Sequence, residues 1–319
     1  MVGIWDRALV AIVAVAVTAA CAANPPAASS SATAVKQIDV GGVIGQGIVF
    51  DFGSLWVPVI DKGTVARIDA ATGAVKQIKA GDPAKIPAGV RGGAPSAVTS
   101  GFGAIWAAGA DGMLARIDPA TDAVTSFTIG VAGYQIAAGE GAIWVASTEN
   151  ASLVQFDPVA QKIVRTVPSL GALFGVAASF GSAWAVNKGS HEVLRIDPKS
   201  GAVTAHIPAE RNPNFVTVGA GSVWVTRANP AALLRIDPAT NAVTTIPAEA
   251  SWGQGTGLTF ADGALYTGWL VRIDPATNKV SGAYAGPAGS EQSAVAIGGG
   301  WAWILGAGAL TRVPLSLVQ

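Results

Sequence analysis

Six times between residues 67 and 278 the chain returns to one phrase, and that return leaves few folds open to it. Arg67-Ile68-Asp69-Ala70-Ala71-Thr72-Gly73 comes back as Arg116-Ile117-Asp118-Pro119-Ala120-Thr121-Asp122 and, reduced, as Gln155-Phe156-Asp157-Pro158. It then recurs as Arg195-Ile196-Asp197-Pro198, Arg235-Ile236-Asp237-Pro238 and Arg272-Ile273-Asp274-Pro275. The aspartates advance by 49, 39, 40, 40 and 37 positions. An aromatic precedes each inside an apolar run: Trp56, Trp106, Trp144, Trp184, Trp224 and Tyr266, with a seventh anchor, Trp303, leading to Arg312. A period near forty residues matches one four-stranded sheet per repeat.

The segments between turns are short and apolar or alternating, and none carries a helical stripe. In the fifth unit, Phe215–Val218, Ser222–Thr226, Leu233–Asp237 and Ala242–Ile246 read as successive strands, with Gly219-Ala220-Gly221 turning the first into the second. Asp-Pro-x-Thr suits the hairpin between the third and fourth. Its carboxylate can accept from the turn backbone, Pro presets φ, and Gly73, Gly201, Asn241 or Asn278 tolerates positive φ at its end. The seventh unit lacks a fourth strand. Ala34-Val35-Lys36-Gln37-Ile38-Asp39-Val40-Gly41 matches Ala74–Gly81, the fourth strand of the first unit, at six of eight positions. The expected fold is therefore all-β: a seven-bladed propeller of four-stranded antiparallel blades over 34–319, closed by an N-terminal strand that completes the last blade.

The repeat also says what its marked residues do. Each anchor Trp falls at the same place in a second strand, where blades pack face to face, so packing explains them better than ligand stacking. Arg and Asp two apart share one strand face, which suits a structural ion pair or a turn cap. Charges present in every blade cannot form one catalytic site.

Before the repeat, Met1–Ala20 reads as a signal peptide, with Arg7 ahead of the thirteen-residue apolar run Ala8–Ala20. Thr18-Ala19-Ala20-Cys21 has the form of a bacterial lipobox, and Cys21 is the only cysteine. Residues 21–33 then read as a flexible small-residue tether. These features predict an exported protein, lipid-anchored through Cys21 on the extracytoplasmic side, with plain secretion as the alternative. A lone cysteine excludes an internal disulfide framework. Twenty basic and twenty acidic residues give zero formal net charge, which argues against nucleic acid as a partner and leaves membrane contact to the lipid anchor.

Trp-Val after a Gly-x-Gly turn, followed by Arg-Ile-Asp-Pro-x-Thr-x-x-Val, resembles the YVTN and virginiamycin B lyase-like propeller repeats from Ala34 to about Pro314. That resemblance implies the propeller architecture. It also implies, for the lyases of the group, histidines and a divalent metal over the central channel. Here the histidines are His191, in a loop before a third strand, and His206, in a fourth strand at the rim. Where a lyase would place its histidine, at the starts of the first strands, stand Gln46, Ser96, Gln135, Gly175, Phe215, Thr256 and Ser293.

No phosphate loop, zinc-ligand spacing or nucleophile elbow occurs. The blades differ mainly in their loops: 81–95 is an insertion, and the sixth blade is trimmed between Tyr266 and Asp274. Loops from all blades converge on one face over the channel, where propellers tend to bind. Candidate ligand-binding residues there are Arg91, Tyr134, Arg211, Asn214, Arg227, Trp252, Gln254 and Gln292. Trp252 stands out because it falls outside the anchor register. The expected function is a non-catalytic binding or scaffold module for a protein, peptide or glycan, acting as a monomer without metal or cofactor. The alternative is a virginiamycin B lyase-like or lactonase-like enzyme acting on a cyclic ester.

Overall fold

The computed structural model describes residues 35–90, 92–168, 170–228, 230–248, 257–284, 292–306 and 309–318, with Gln292 and Ser293 described by backbone alone. Ala34–Gln319 is one compact unit, built of seven four-stranded antiparallel sheets.

The first blade comprises Val49–Asp51, Ser54–Val59, Thr64–Asp69 and Val75–Lys79, and the second Ala97–Gly101, Ala104–Ala108, Met113–Ile117 and Val124–Thr128. The third is Gln135–Gly139, Ala142–Ser147, Ser152–Asp157 and Lys162–Val167, and the fourth Leu173–Ser179, Ser182–Asn187, Glu192–Ile196 and Val203–Pro208. The fifth is Pro213–Gly219, Ser222–Ala228, Ala231–Ile236 and Val243–Pro247, and the sixth Leu258–Ala261, Ala264–Thr267, Val271–Asp274 and Lys279–Ala283. The seventh has Gln292–Gly298, Trp301–Gly306 and Ala309–Pro314, and its outer strand is Lys36–Ile38. Lys36 pairs with Arg312, Gln37 with Thr311 and Ile38 with Leu310, as expected of a closing strand. Each first strand contacts the first strands of both neighbouring blades, so the seven encircle an axis.

Burial grades outward along each sheet. The second strands are enclosed on both faces and mainly apolar, whereas outer strands such as Val75–Lys79 are largely exposed. Trp56, Trp106, Trp144, Trp184, Trp224 and Trp303 are each 0% exposed between blades, and Tyr266 takes the same place in the sixth. Each indole Nε1 donates to the carbonyl five residues earlier, from Asp51 through Gly298, at 2.9–3.2 Å. The buried ring thus keeps its one polar group satisfied on its own blade.

Two kinds of turn close the lower face. First and second strands meet in two-residue turns with positive φ at both positions, as at Phe52 (51°) and Gly53 (70°). Third and outer strands of the first six blades meet in hairpins opened by the repeat aspartate. Asp237 Oδ1 accepts from the Ala239 and Thr240 amides at 2.8 and 3.0 Å, and Asn241 ends the turn at φ 61°. The aspartate is the expected turn cap. The arginine two residues earlier does something else, reaching out of its own repeat. Arg67 Nε donates to Ser54 Oγ in its own blade, while Nη1 donates to the Pro119 carbonyl and to Asp122 of the next blade, both at 2.8 Å. The ion pair of Arg67 is therefore with Asp122 of the next blade.

The upper face carries the outer-to-first connections and the second-to-third loops. The insertion 81–95 lies there and includes a short 3-10 turn, Pro83–Lys85, capped by Asp82. In the trimmed sixth blade only Gly268-Trp269-Leu270 separates the second and third strands. Among the described residues no helix is long and apolar enough to cross a membrane.

Candidate functional site

One aliphatic side chain from each blade lines the upper part of the central channel: Ile48, Val98, Ile136, Val176, Val216, Leu258 and Val295. From Val98 to Val295 each stands one residue before the strand partner of its anchor aromatic, as Val98 precedes Thr99, the partner of Trp106. Ile48 holds the same place before Val49, the partner of Trp56. The register that packs the tryptophans between blades thus also closes an apolar ring on the axis. One residue higher the blades contribute Gly47, Ala97, Gln135, Gly175, Phe215, Gly257 and Ala294. Small residues let the first strands approach there: a Cβ on Gly257 would meet Ala294 Cα at 2.7 Å, and one on Gly175 the Asn214 carbonyl at 2.8 Å. Between the tiers is a cavity of about 130 Å³.

Gln135 is the polar member of that tier, and Phe215 the large apolar one. Gln135 is 9% exposed, and its Nε2 has no hydrogen-bond partner. Tyr134, next to it in the chain, closes the loop from the second blade. Its ring meets Phe174 edge-on at 5.1 Å, and Lys188 Nζ lies 4.3 Å from the Phe174 centroid. Burial pushes the Tyr134 phenol above its usual value, against a hydrogen bond with Gln46. Two half-buried rings, an amide and a cation from the first, third and fourth blades therefore meet at the channel mouth. This arrangement can hold an apolar or CH-rich face against the rings, with the Gln46 amide beside them.

The remaining candidates separate. Arg211 is exposed in the connection between the fourth and fifth blades. Asn214 lies in the first strand of the fifth blade and is buried. Arg227 lies in a strand rather than a loop and is 4% exposed, its Nε donating to the Pro230 carbonyl at 2.9 Å and its Nη1 to Glu210. Its guanidinium is thus spent on its own loops. Gln292 opens the first strand of the seventh blade. Arg91, Trp252, Gln254 and Cys21 lie outside the described residues. Lys188 and the aliphatic ring were missed in the sequence. The ring has a signal there, its fixed offset from the tryptophans, but Lys188 has none.

Beside the insertion, Pro87, Val90, Asp111, Glu149 and Asn150 border a groove of about 390 Å³. Its polar groups are largely engaged: Asp111 Oδ2 accepts from the Asp82 amide at 2.9 Å, and Asn150 Oδ1 from Ala132 N at 2.9 Å. His206 lies in an outer strand, 3.1 Å from Glu192 Oε2, and His191 in the turn before a third strand. Neither lies among the residues that line the channel. Among the described residues no group of three or more His, Cys, Asp or Glu could hold a metal.

No family model matches the chain, and no curated protein matches it. Solved structures do. A chain in the crystal structure of the mitotic checkpoint complex is similar at TM-score 0.69 and 14% identity, over 93% of this chain and 99% of that one. Kuenenia stuttgartiensis hydrazine synthase is similar at TM-score 0.67 and 15% identity, over 86% of this chain and 96% of that one. The extracellular domain of a one-component system from B. thetaiotaomicron is similar at TM-score 0.63 and 14% identity, over 87% of this chain and 41% of that one. This chain is a seven-bladed β-propeller. At such identities the likeness extends to the propeller's architecture alone.

Proposed function

We propose that this propeller is an exported, lipid-tethered binding module without catalytic activity, which engages a protein, peptide or glycan through its upper face. The observation that carries this reading is the meeting of Tyr134, Phe174 and Lys188 at the channel mouth. Edge-on rings with a cation over one of them form a recognition surface whose parts come from different blades, and nothing in the repeat requires them. Aromatic and cationic side chains of this kind supply much of the energy of protein interfaces. The lyase-like reading asks for histidines over the channel, and His191 and His206 are placed elsewhere. The repeat resemblance accordingly supports shared architecture with that group, and this chain uses it for binding.

The test is capture from an extract of the source cells by the tagged chain, compared with Tyr134→Ala plus Lys188→Ala. Loss of the captured partner, with an unchanged melting temperature, supports the upper face. The exposed lower-face change Lys199→Ala serves as control. Equal capture by all three would sink the reading.

A further inference from the structure

Three phenylalanines stand where a tight turn would take glycine or asparagine. Phe52, Phe102 and Phe180 each hold the first place in the two-residue turn from a first strand to a second, at φ 51°, 52° and 57°. A bulky side chain is uncommon in that left-handed region. Burial does not compensate, because the three are 41%, 45% and 38% exposed, and they are the exposed aromatics among the described residues. Their turns project from the lower face: a Cβ on Gly53, Gly103 or Gly181 would meet nothing within 4 Å. At the same place in the third blade Glu140 lies along the rim, its Oε1 accepting from the Gly181 amide at 3.0 Å. The hairpin of that blade presents the exposed Val159, where the other repeats have alanine or Lys199. Apolar tips thus run along the lower face from the first blade to the fourth, while the remaining turns begin with Ala220, Asp262 and Gly299. Apolar groups set out in this way on a surface mark a contact.

The point where the chain enters the ring says what covers them. Ala309–Pro314 runs from the upper face to the lower, and Lys36 pairs with Arg312 while Ile38 pairs with Leu310. Val35 therefore enters from below. Residues 21–33, read as a tether, would span roughly 20 Å as a random coil, so a lipid on Cys21 would hold the lower face close to the membrane surface. Separate rings on projecting turns, with polar backbone between them, suit the boundary of head groups and acyl chains. On the reading of Cys21 as a lipid anchor, we propose that the lower face lies on the bilayer, with Phe52, Phe102 and Phe180 inserted into that boundary. The channel mouth with Tyr134, Phe174 and Lys188 then faces away from the membrane, open to its partner.

Hydrogen exchange of the purified full chain, with and without vesicles of phosphatidylethanolamine and phosphatidylglycerol, tests this. Peptides covering 50–54, 100–104 and 179–182 are expected to exchange at least about fivefold more slowly on vesicles, and those covering 132–136 and 187–191 to be unchanged. Phe52→Asn, Phe102→Asn and Phe180→Asn together should abolish the protection. Because asparagine accepts positive φ, the melting temperature of this variant should be equal or higher, whereas a packing role for the rings would lower it. Should the triple variant fail to fold, Phe102→Asn alone takes its place and should lose the protection at 100–104. Protection of both faces alike, of neither, or unchanged in the variants overturns the proposal. So does lower-face protection that appears without vesicles and grows with protein concentration, which would make the occupant a second copy. Loss of partner capture in the triple variant would assign the tips to a protein and overturn it as well. Membrane fractionation through Cys21 without lower-face protection removes this proposal and leaves the anchor standing. Protection in a chain whose mass shows no acyl group supports the face and removes the anchor alone.

Discussion

Arg235 of the fifth blade ends on Asn278 of the sixth, its Nη1 donating to Asn278 Oδ1 at 3.0 Å and to the Pro275 carbonyl at 2.9 Å. The same guanidinium donates from Nε to Ser222 at 2.9 Å and lies 5.0 Å from the Trp224 ring. Arg195 repeats the reach to Asn241, Arg67 to Asp122, and Arg312 to the Ala70 carbonyl of the first blade. In the third blade Gln155 keeps part of it, donating to the Pro198 carbonyl at 2.9 Å. In these blades the repeat phrase is thus a stitch, its arginine crossing to the hairpin that the next phrase caps with its aspartate, whereas Arg272 donates to Ser281 within its own blade.

Replacing Arg235 with Met keeps most of the aliphatic stem and removes the fork. Stability in urea should fall by about 1–3 kcal/mol. Arg235→Lys should recover less than half of this, because a single ammonium cannot serve Ser222, Pro275 and Asn278 together. A loss below about 0.5 kcal/mol would show the stitch to be idle.

Removing residues 34–40 strips the outer strand from the seventh blade and bares the outer edge of Leu310–Arg312. The expected cost is about 3 kcal/mol or more in denaturant unfolding. Removing 23–31 should leave the midpoint unchanged, and equal effects from the two deletions would contradict the closing role.

The hairpin aspartates set an acid limit. Backbone hydrogen bonds hold the carboxyls of Asp69, Asp118, Asp157, Asp197, Asp237 and Asp274 below their ordinary value of 3.8. A folded value below the unfolded one contributes stability that is fully present above the unfolded value and is lost as pH falls through the folded value. Through these groups the melting temperature should therefore be level from neutrality down to about pH 5 and fall below about pH 4. Asp237→Asn should flatten part of that fall in melts taken from pH 7 to pH 2.5, and an unchanged profile would count against the caps.

His191→Ala combined with His206→Ala should leave partner capture intact. The His206–Glu192 contact involves a side chain that is 63% exposed, so its loss should cost less than about 1 kcal/mol. Turnover of a cyclic ester that disappears with this pair would return the lyase reading.

Cys21→Ala should move the protein from the membrane fraction to the soluble one. If mutant and parent fractionate alike, the lipid anchor is wrong and plain secretion stands.

The fold was legible because its signals are local and periodic. Trp56 and its equivalents mark second strands, Asp237 and its equivalents mark hairpins, and Lys36-Gln37-Ile38 repeats Lys76-Gln77-Ile78. What stayed hidden depends on a neighbour in space. Nothing beside Arg67 in the chain names Asp122 as its partner. Arg227 reads as a loop cation because Asn229-Pro230 follows it. Yet its strand runs on to Ala228, and Glu210, seventeen positions earlier, takes its charge. Gln135 is one polar residue at the start of a strand, and only the ring of small and aliphatic neighbours isolates its amide.

The pairing of Lys36 with Arg312 also has a consequence in time. The strand that leaves the ribosome among the first has no partner until nearly the last residue has been made. Contacts separated by almost the whole chain slow folding and prolong the interval in which edges lie bare. Six blades can form as the chain emerges, most of them stitched to the one before, but the ring waits for both ends to meet. A chain cut short at its C-terminus would keep most of its sheets and still present two unmatched edges to whatever lies nearby.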